Sequence, residues 1–368
     1  MWRISASARD YDWGSRTEIP AFLGIDPTGE PVAELWYGTH PLGTSTVESN
    51  GSLRPLTEVA GELPFMLKVL APAQPLSIQV HPSSTLAELG FASEQSGGVP
   101  LTDVSRDFKD PRHKPEMVYA LTTFETLLGL RPIEEIIALL EPIDLPIARS
   151  LLEHAARGRL AVVKQLLNSP PSPDEVDAFV EACAGLAERD IGRGYATVLE
   201  ASRVHPSDPG VVVVLLLNRM TIEPGNAVFI GPGLMHAHLS GLCLEVMSSS
   251  DNVFRAGLTT KRVNPQGVLK SLGVTQPESP GVEAHRFGDA TQVFAPAPGL
   301  FALSITSGET DLLPGDGRRI LLCIEGRVEL QSDGDSLELD RGQAAFVSLD
   351  DGRVGVSGAG VVAQAFVP

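Results

Sequence analysis

The spacing of apolar positions changes twice along the chain. Up to about residue 131 they fall in short runs broken by Gly and Pro, as in Leu63-Pro64-Phe65-Met66-Leu67-Lys68-Val69-Leu70, segment 75–82 and Glu116-Met117-Val118-Tyr119-Ala120-Leu121. Runs of that length bounded by turn residues predict strands. From about Pro132 to His205 the spacing turns helical: Ile133, Ile136, Ile137 and Leu140, then Val176, Phe179, Val180 and Cys183. Ser172, Pro173 and Glu175 form a helix-start signal, with a capping hydroxyl, a first-turn proline and an acid three residues on. After Asp208-Pro209-Gly210 the strand-like style returns. The run 211–217 (Val-Val-Val-Val-Leu-Leu-Leu) predicts a strand buried on both faces. Arg319-Ile320-Leu321-Leu322-Cys323-Ile324, a turn at Glu325-Gly326, and Arg327-Val328-Glu329-Leu330 continue the pattern.

A weak repeat lies within these strands. Glu223-Pro224-Gly225-Asn226-Ala227-Val228-Phe229-Ile230 parallels Asp340-Arg341-Gly342-Gln343-Ala344-Ala345-Phe346-Val347. A repeated turn-and-strand unit in a β-rich chain predicts two related barrels. Counted from the shared Gly, His236 in the first copy corresponds to Arg353 in the second.

Composition narrows the function classes. The chain has 368 residues, 43% hydrophobic and 20% charged, which is an ordinary globular balance too long for one core. A net charge of −18 argues against nucleic-acid binding, which needs a basic face. An anionic substrate would require a local basic patch. Cys183, Cys243 and Cys323 are far apart, so neither a disulfide framework nor a thiolate zinc site is expected, and a reducing cytoplasm is the expected compartment. The opening Met1-Trp2-Arg3-Ile4-Ser5 lacks a signal-peptide core, and run 211–217 is far too short to span a bilayer.

Four residues read as one metal site split along the chain: Gln79, His81, Glu116 and His236. Residues i and i+2 of a strand share a face, so Gln79 and His81 can address one point. Gly231-Pro232-Gly233 forms a tight turn that delivers His236, with His238 two residues further on. Two imidazoles, an amide and a carboxylate suit one divalent ion of the zinc type with an open position. Ser249-Ser250-Asp251-Asn252 and the basic Arg255, Lys261 and Arg262 suggest contacts to a polyol and to a phosphate. Glu245, Asp251, Arg255 and Lys261 follow His236 closely, along what reads as one strand and its loop.

Several segments resemble one family in its own order: Tyr11-Asp12-Trp13-Gly14, Ala33-Glu34-Leu35-Trp36-Tyr37-Gly38-Thr39-His40-Pro41, Gln74-Pro75-Leu76-Ser77-Ile78-Gln79-Val80-His81-Pro82, Asp110-Pro111-Arg112-His113-Lys114-Pro115-Glu116-Met117 and Ser249-Ser250-Asp251-Asn252-Val253-Phe254-Arg255-Ala256-Gly257-Leu258-Thr259. They resemble the type I mannose-6-phosphate isomerases, a zinc-dependent branch of the cupin superfamily. The resemblance implies a mainly β fold of two cupin-type jelly-roll barrels with an α-helical domain inserted into the metal-bearing one. The expected domains are 1–131 plus 207–262 (catalytic), 132–206 (helical insert) and 263–368 (a degenerate barrel). It implies one zinc per chain on Gln79, His81, Glu116 and His236, and interconversion of mannose 6-phosphate and fructose 6-phosphate. Two departures stand out. His238 occupies the family's usual Tyr position, and Thr259-Thr260-Lys261 replaces Thr-Pro-Lys.

The implied reaction needs a proton moved between adjacent carbons and charge stabilised on oxygen. Glu245 is the expected assisting base and Lys114 or His113 the proton donor, with Asp251 a further candidate. Arg255 and Lys261 are the expected phosphate or oxyanion cations, and Ser77, Lys114 and His238 the further sugar contacts. The competing reading is a non-catalytic cupin that binds a sugar or sugar phosphate. A monomer or weak homodimer, with no nucleic-acid or membrane partner, is expected.

Overall fold

A computed structural model describes residues 1–49, 52–273, 280–297 and 299–368. The fold is mainly β. Among the described residues the strands form nine-, seven-, five-, three- and two-stranded sheets. The first four stack in layers, and strict alternation along single strands explains why. In Phe65–Leu70, Phe65, Leu67 and Val69 pack toward the nine-stranded sheet with Ile320, Leu322 and Phe346. Met66, Lys68 and Leu70 face the other way, toward the five-stranded sheet. Burial on both faces is what a near-continuous apolar run, broken here only by Lys68, encodes.

The space between the seven- and five-stranded sheets is apolar at one end, where Leu70, Val118, Phe124, Leu128, Ile222 and Ile230 meet. Its other end is polar and holds the site described below. A separate core that includes Leu321, Val328, Leu330, Val347 and Val356 fills the gap between the nine- and three-stranded sheets. The outer face of the five-stranded sheet packs against helices.

The helical stretch follows its sequence signals. Ile133–Leu140 and Pro173–Gly185 are helices, and Ser172 and Glu175 form a reciprocal capping box. Strands Ala227–Ile230 and Ala344–Val347 carry the two repeat copies, and Arg353 is exposed.

Run 211–217 departs from expectation. Gly210–Val214 is a short buried helix, and only Leu217 opens a strand, Leu217–Ile222. Asp208 starts the turn: its carbonyl accepts the Val211 N–H at 2.9 Å and its carboxylate the Gly210 N–H at 2.6 Å. A short, wholly apolar run has no polar position to reveal its period, so a buried helix and a buried strand look alike.

Candidate active site

Strand pairing builds the site. His236 opens strand His236–Ser240 and pairs directly with Gln79 on Ile78–Val80. Gln79 pairs on its other side with Arg255 on Phe254–Gly257. Direct cross-strand partners share a face. His81 follows Gln79 by two, just past the strand end, and its ring centroid lies 5.1 Å from that of His236. Glu116 comes from the facing seven-stranded sheet. Its Oε1 is 3.3 Å from His81 Nε2 and its Oε2 is 3.4 Å from His236 Nε2. All three side chains are buried.

Hydrogen bonding sets the imidazole tautomers. His81 Nδ1 donates to the Asn252 carbonyl at 2.8 Å, and His236 Nδ1 donates to the Leu234 carbonyl at 3.0 Å. A carbonyl only accepts, so Nδ1 carries the proton on both rings. Burial pushes the His236 imidazole down to about 3, which keeps it neutral. The His236 Nε2 lone pair therefore faces Glu116 Oε2, and His81 Nε2, which faces Glu116 Oε1, is buried with no hydrogen-bond partner. Ring nitrogens crowded in this way against a carboxylate suit a cation between them. The donor set suits a zinc-type ion, and carbonyls on the distal ring nitrogens are the usual support for such ligands. Gln79 donates its amide nitrogen to Ser77 Oγ at 3.1 Å, leaving its oxygen available.

Beside this group lies a buried charge network. Lys68 Nζ is 2.8 Å from Glu245 Oε2 and 3.7 Å from Glu34 Oε1, and it sits 5.2 Å from the Trp36 ring centroid. Trp36 Nε1 donates to Glu34 Oε2 at 2.8 Å. Burial would raise the Glu245 carboxyl, but Lys68 outweighs it and holds it at about 2. Burial would lower Lys68, yet Glu245 and Glu34 hold it above the ordinary lysine value. Burial would likewise raise Glu116, whose carboxyl lies well below the usual range with Lys114 foremost among the causes. Lys114 Nζ is 3.2 Å from Glu116 Oε1. His238 bonds Thr126 Oγ1 through Nδ1 at 3.1 Å and faces Glu245 Oε1 from 3.8 Å. Glu116, His238 and Glu245 form a second ligand-like group, but the Lys68 ammonium already neutralises it.

The expected residues thus separate. Gln79, His81, Glu116, His236, Lys114, Glu245 and His238 converge between the two sheets. Arg255 and Lys261 line a cleft of about 340 Å³ together with Asp251, Phe254 and Arg262. Burial lowers both cations, and Arg255 lowers Lys261 further. Among the described residues neither makes an ion pair, whereas Arg262 is bound to Asp107 at 2.5 Å. Asp251 Oδ2 lies 3.4 Å from His40 Nε2. His113 turns to Ser84 Oγ at 2.8 Å.

Two sequence expectations are corrected. Glu245, Asp251, Arg255 and Lys261 do not follow His236 along one strand. Glu245 is on Cys243–Ser248 in the seven-stranded sheet, while His236 and Arg255 are in the five-stranded sheet. The chain crosses between sheets twice, which puts Glu245 opposite His236 rather than beside it. Asn252 is no free polyol contact either. Its side chain accepts the Lys109 N–H at 2.8 Å and donates to the Asp110 and Arg112 carbonyls at 2.7 and 2.8 Å. It ties the loop before Glu116 to the loop before Arg255.

Lys68 and Glu34 were missed. Each is a lone charge inside an otherwise apolar strand, a pattern that signals a buried, paired ion.

The chain is similar to known proteins along its whole length. A family model for "Phosphomannose isomerase type I, catalytic domain" matches residues 1–133. The chain is 34% identical to the mannose-6-phosphate isomerase of Escherichia coli (strain K12), covering 100% of this chain and 99% of the relative. It is 30% identical to mannose-6-phosphate isomerase 1 of Arabidopsis thaliana, covering 95% and 89%. A crystal structure of mannose 6-phosphate isomerase from Salmonella typhimurium, bound to substrate and a zinc atom, superposes with a TM-score of 0.89 at 32% identity, over 100% of this chain and 99% of that one. With relatives of this identity matched end to end, the chain belongs to the type I mannose-6-phosphate isomerase family.

Proposed function

We infer that this chain interconverts mannose 6-phosphate and fructose 6-phosphate as a zinc-dependent aldose–ketose isomerase. The observation that carries the reading is the buried His81 Nε2, without a hydrogen-bond partner and facing Glu116. We assign one divalent ion per chain to Gln79, His81, Glu116 and His236. When bound, such an ion supplies positive charge for the sugar oxygens on which negative charge develops.

The remaining roles belong to this chain's own side chains. Arg255 and Lys261 hold the phosphate: among the described residues they are the cleft cations whose charged groups have no partner, whereas Arg106 and Arg262 are ion-paired and Lys109 donates to the Leu101 and Asp103 carbonyls. Isomerisation through a cis-enediol requires a proton taken from the carbon beside a carbonyl and returned to its neighbour on the same face. Glu245 stays ionised and holds the Lys68 ammonium inside the lumen. A carboxylate of that low basicity is a weak base by itself, so its role is to assist. Lys114, beside Glu116, is the better-placed proton donor, since the His113 ring is turned to Ser84. Asp251 orients His40 at the cleft, and Ser77 and His238 are assigned to sugar contacts.

The five- and seven-stranded sheets are read as a cupin-type jelly-roll barrel, 1–131 plus 207–262, with 132–206 inserted into it. The nine- and three-stranded sheets are read as the second barrel, 263–368, to which Trp2–Ser5, Thr46–Ser49 and Ser52–Pro55 add three strands from within 1–131. Separate inner cores support this division. A monomer or weak homodimer in the cytoplasm fits three buried free thiols and no helix, among the described residues, long and apolar enough to cross a membrane.

The non-catalytic alternative is weaker, because the complete donor set stands beside two unpaired cations. A coupled assay on mannose 6-phosphate tests the reading. Turnover is expected, abolished by a chelator and restored by zinc; full turnover without any divalent ion would overturn it.

A further inference from the structure

We propose that Asp208 is a positioning residue for the substrate phosphate: its carboxylate fastens the loop that carries Lys261 to the end of the helical region. The inference rests on the reading of Lys261 as a phosphate cation.

Asp208 lies just before the helix Gly210–Val214, some fifty residues upstream of the loop it holds. Its Oδ1 accepts the Leu258 N–H at 3.0 Å and its Oδ2 accepts the Thr259 N–H at 3.1 Å. Oδ1 also accepts the Gly210 N–H at 2.6 Å. One carboxylate therefore joins two backbones, and hydrogen bonds to a charged acceptor are the strong ones. The next link leads to the cation: Thr259 Oγ1 accepts the Lys261 N–H at 3.0 Å.

The contact is also tightly fitted. A Cβ placed on Gly210 would stand 2.4 Å from the Leu258 nitrogen, and one on Gly257 would stand 2.4 Å from the Gly210 Cα. The two backbones approach as closely as glycine permits. Strain gathers here as well. Among the described residues three non-glycine residues have left-handed backbones, and two of them flank the clamp: Ser207 at φ 60° and Leu258 at φ 53°. Such conformations persist where the surroundings over-determine them, and they cluster at ligand clamps.

The clamp matters because it holds the Lys261 loop on the side of Arg255, while Arg262 and Asn264, bound to Asp107, hold only the far side. Although partly shielded at the cleft, the Lys261 ammonium makes no ion pair and no hydrogen bond among the described residues. A lysine ammonium rides on a flexible four-carbon stem, so its reach is set by where the backbone is fixed. Asp208 fixes it two residues away, next to the strand that presents Arg255.

The test measures steady-state kinetics on mannose 6-phosphate in the zinc-loaded enzyme, with zinc content and melting temperature followed in parallel. Asp208→Asn keeps the size but sets an NH2 group against backbone donors. KM is expected to rise about tenfold or more, as for loss of a charge-assisted hydrogen bond, with kcat within about threefold and zinc unchanged. Inhibition by inorganic phosphate weakens by a similar factor. Thr259→Ala raises KM in the same direction, and Thr259→Ser restores it. If Asp208→Asn does not fold, the Thr259 pair decides, and equal KM values for Ala and Ser overturn the clamp. A folded Asp208→Asn with unchanged KM also overturns it, as does a parallel loss of kcat and zinc, which marks a purely structural role. Lys261→Ala separates the two readings. If it raises KM while Asp208→Asn is silent, only the clamp fails. If Lys261→Ala leaves KM unchanged, the phosphate assignment fails and takes the clamp with it.

Discussion

His236 stands directly opposite Gln79 across adjacent antiparallel strands, and Gln79 stands directly opposite Arg255 on its other side. Partners of this kind lie about 4.5–5.5 Å apart at Cβ and share a face. One rung of the five-stranded sheet thus carries two of the assigned metal ligands and the guanidinium assigned to the phosphate. On that assignment, strand spacing would act as a rigid ruler between the ion and the anionic end of the sugar.

The two imidazoles that face the Glu116 carboxylate predict a strict metal requirement. His81→Ala is expected to lower zinc content to below about one-tenth of an equivalent, and activity with it, as befits loss of one of four ligands. Metal analysis of the purified variant checks this; full occupancy would remove His81 from the ligand set.

Glu245→Gln is expected to retain zinc and lose turnover by about 10²–10⁴-fold, the usual contribution of general acid–base assistance. Kinetics on metal-matched samples decide it. A loss smaller than about tenfold would exclude Glu245 from the proton transfer.

Removing Lys68 should destabilise the fold and change its response to acid. The Glu245 carboxyl is held at about 2 against an ordinary value of 4.5. Its folded value is depressed, so its contribution to stability is present above about pH 4.5 and is lost as pH falls toward 2. Lys68→Met strands two buried carboxylates and is expected to cost about 3–5 kcal/mol near neutral pH. It should also flatten the loss of stability between pH 4.5 and 2. Denaturant melts across that range measure both; an unchanged acid profile would refute the pairing.

A cis-enediol route exchanges the transferred proton with solvent. Isomerisation in deuterated water is expected to place deuterium at C1 or C2 of the recovered sugar, read by mass spectrometry or NMR. Complete retention of protium would favour a hydride shift instead.

Gly14 belongs to the Tyr11-Asp12-Trp13-Gly14 segment by which the chain resembled its family. It bridges to Pro72, and a Cβ there would sit 2.5 Å from the Ala33 Cα, which is backbone and cannot yield. Gly14→Ala is expected to destabilise by about 1–3 kcal/mol, as overpacking does. A thermal melt checks this, and an unshifted midpoint would contradict the close approach.

Much of the fold was legible because its signals are local. The Ser172 capping box, the helical spacing around Val176 and Phe179, and the two-faced burial of Phe65–Leu70 depend on neighbours a few residues away. The meeting of Gln79, His81 and His236 was legible for the same kind of reason, with a two-residue strand spacing at Gln79 and His81 and a tight turn before His236. The run 211–217 was not, since without a polar residue it has no visible period.

What only the tertiary structure decided is which distant strands meet, and in what register. Nothing near Lys68 in the chain points to Glu245, and nothing near Asp208 points to Leu258 or Thr259. Nor does the stretch after His236 reveal that Glu245 and Arg255 end on opposite sheets. Register is settled by the summed packing of both faces of every strand, and a slip of one residue reverses the direction of each side chain. The amino-acid order alone therefore determined the chemical groups and their local geometry. Long-range pairing determined that three carboxylates, two lysines and three imidazoles share one lumen, and which of them neutralise one another there.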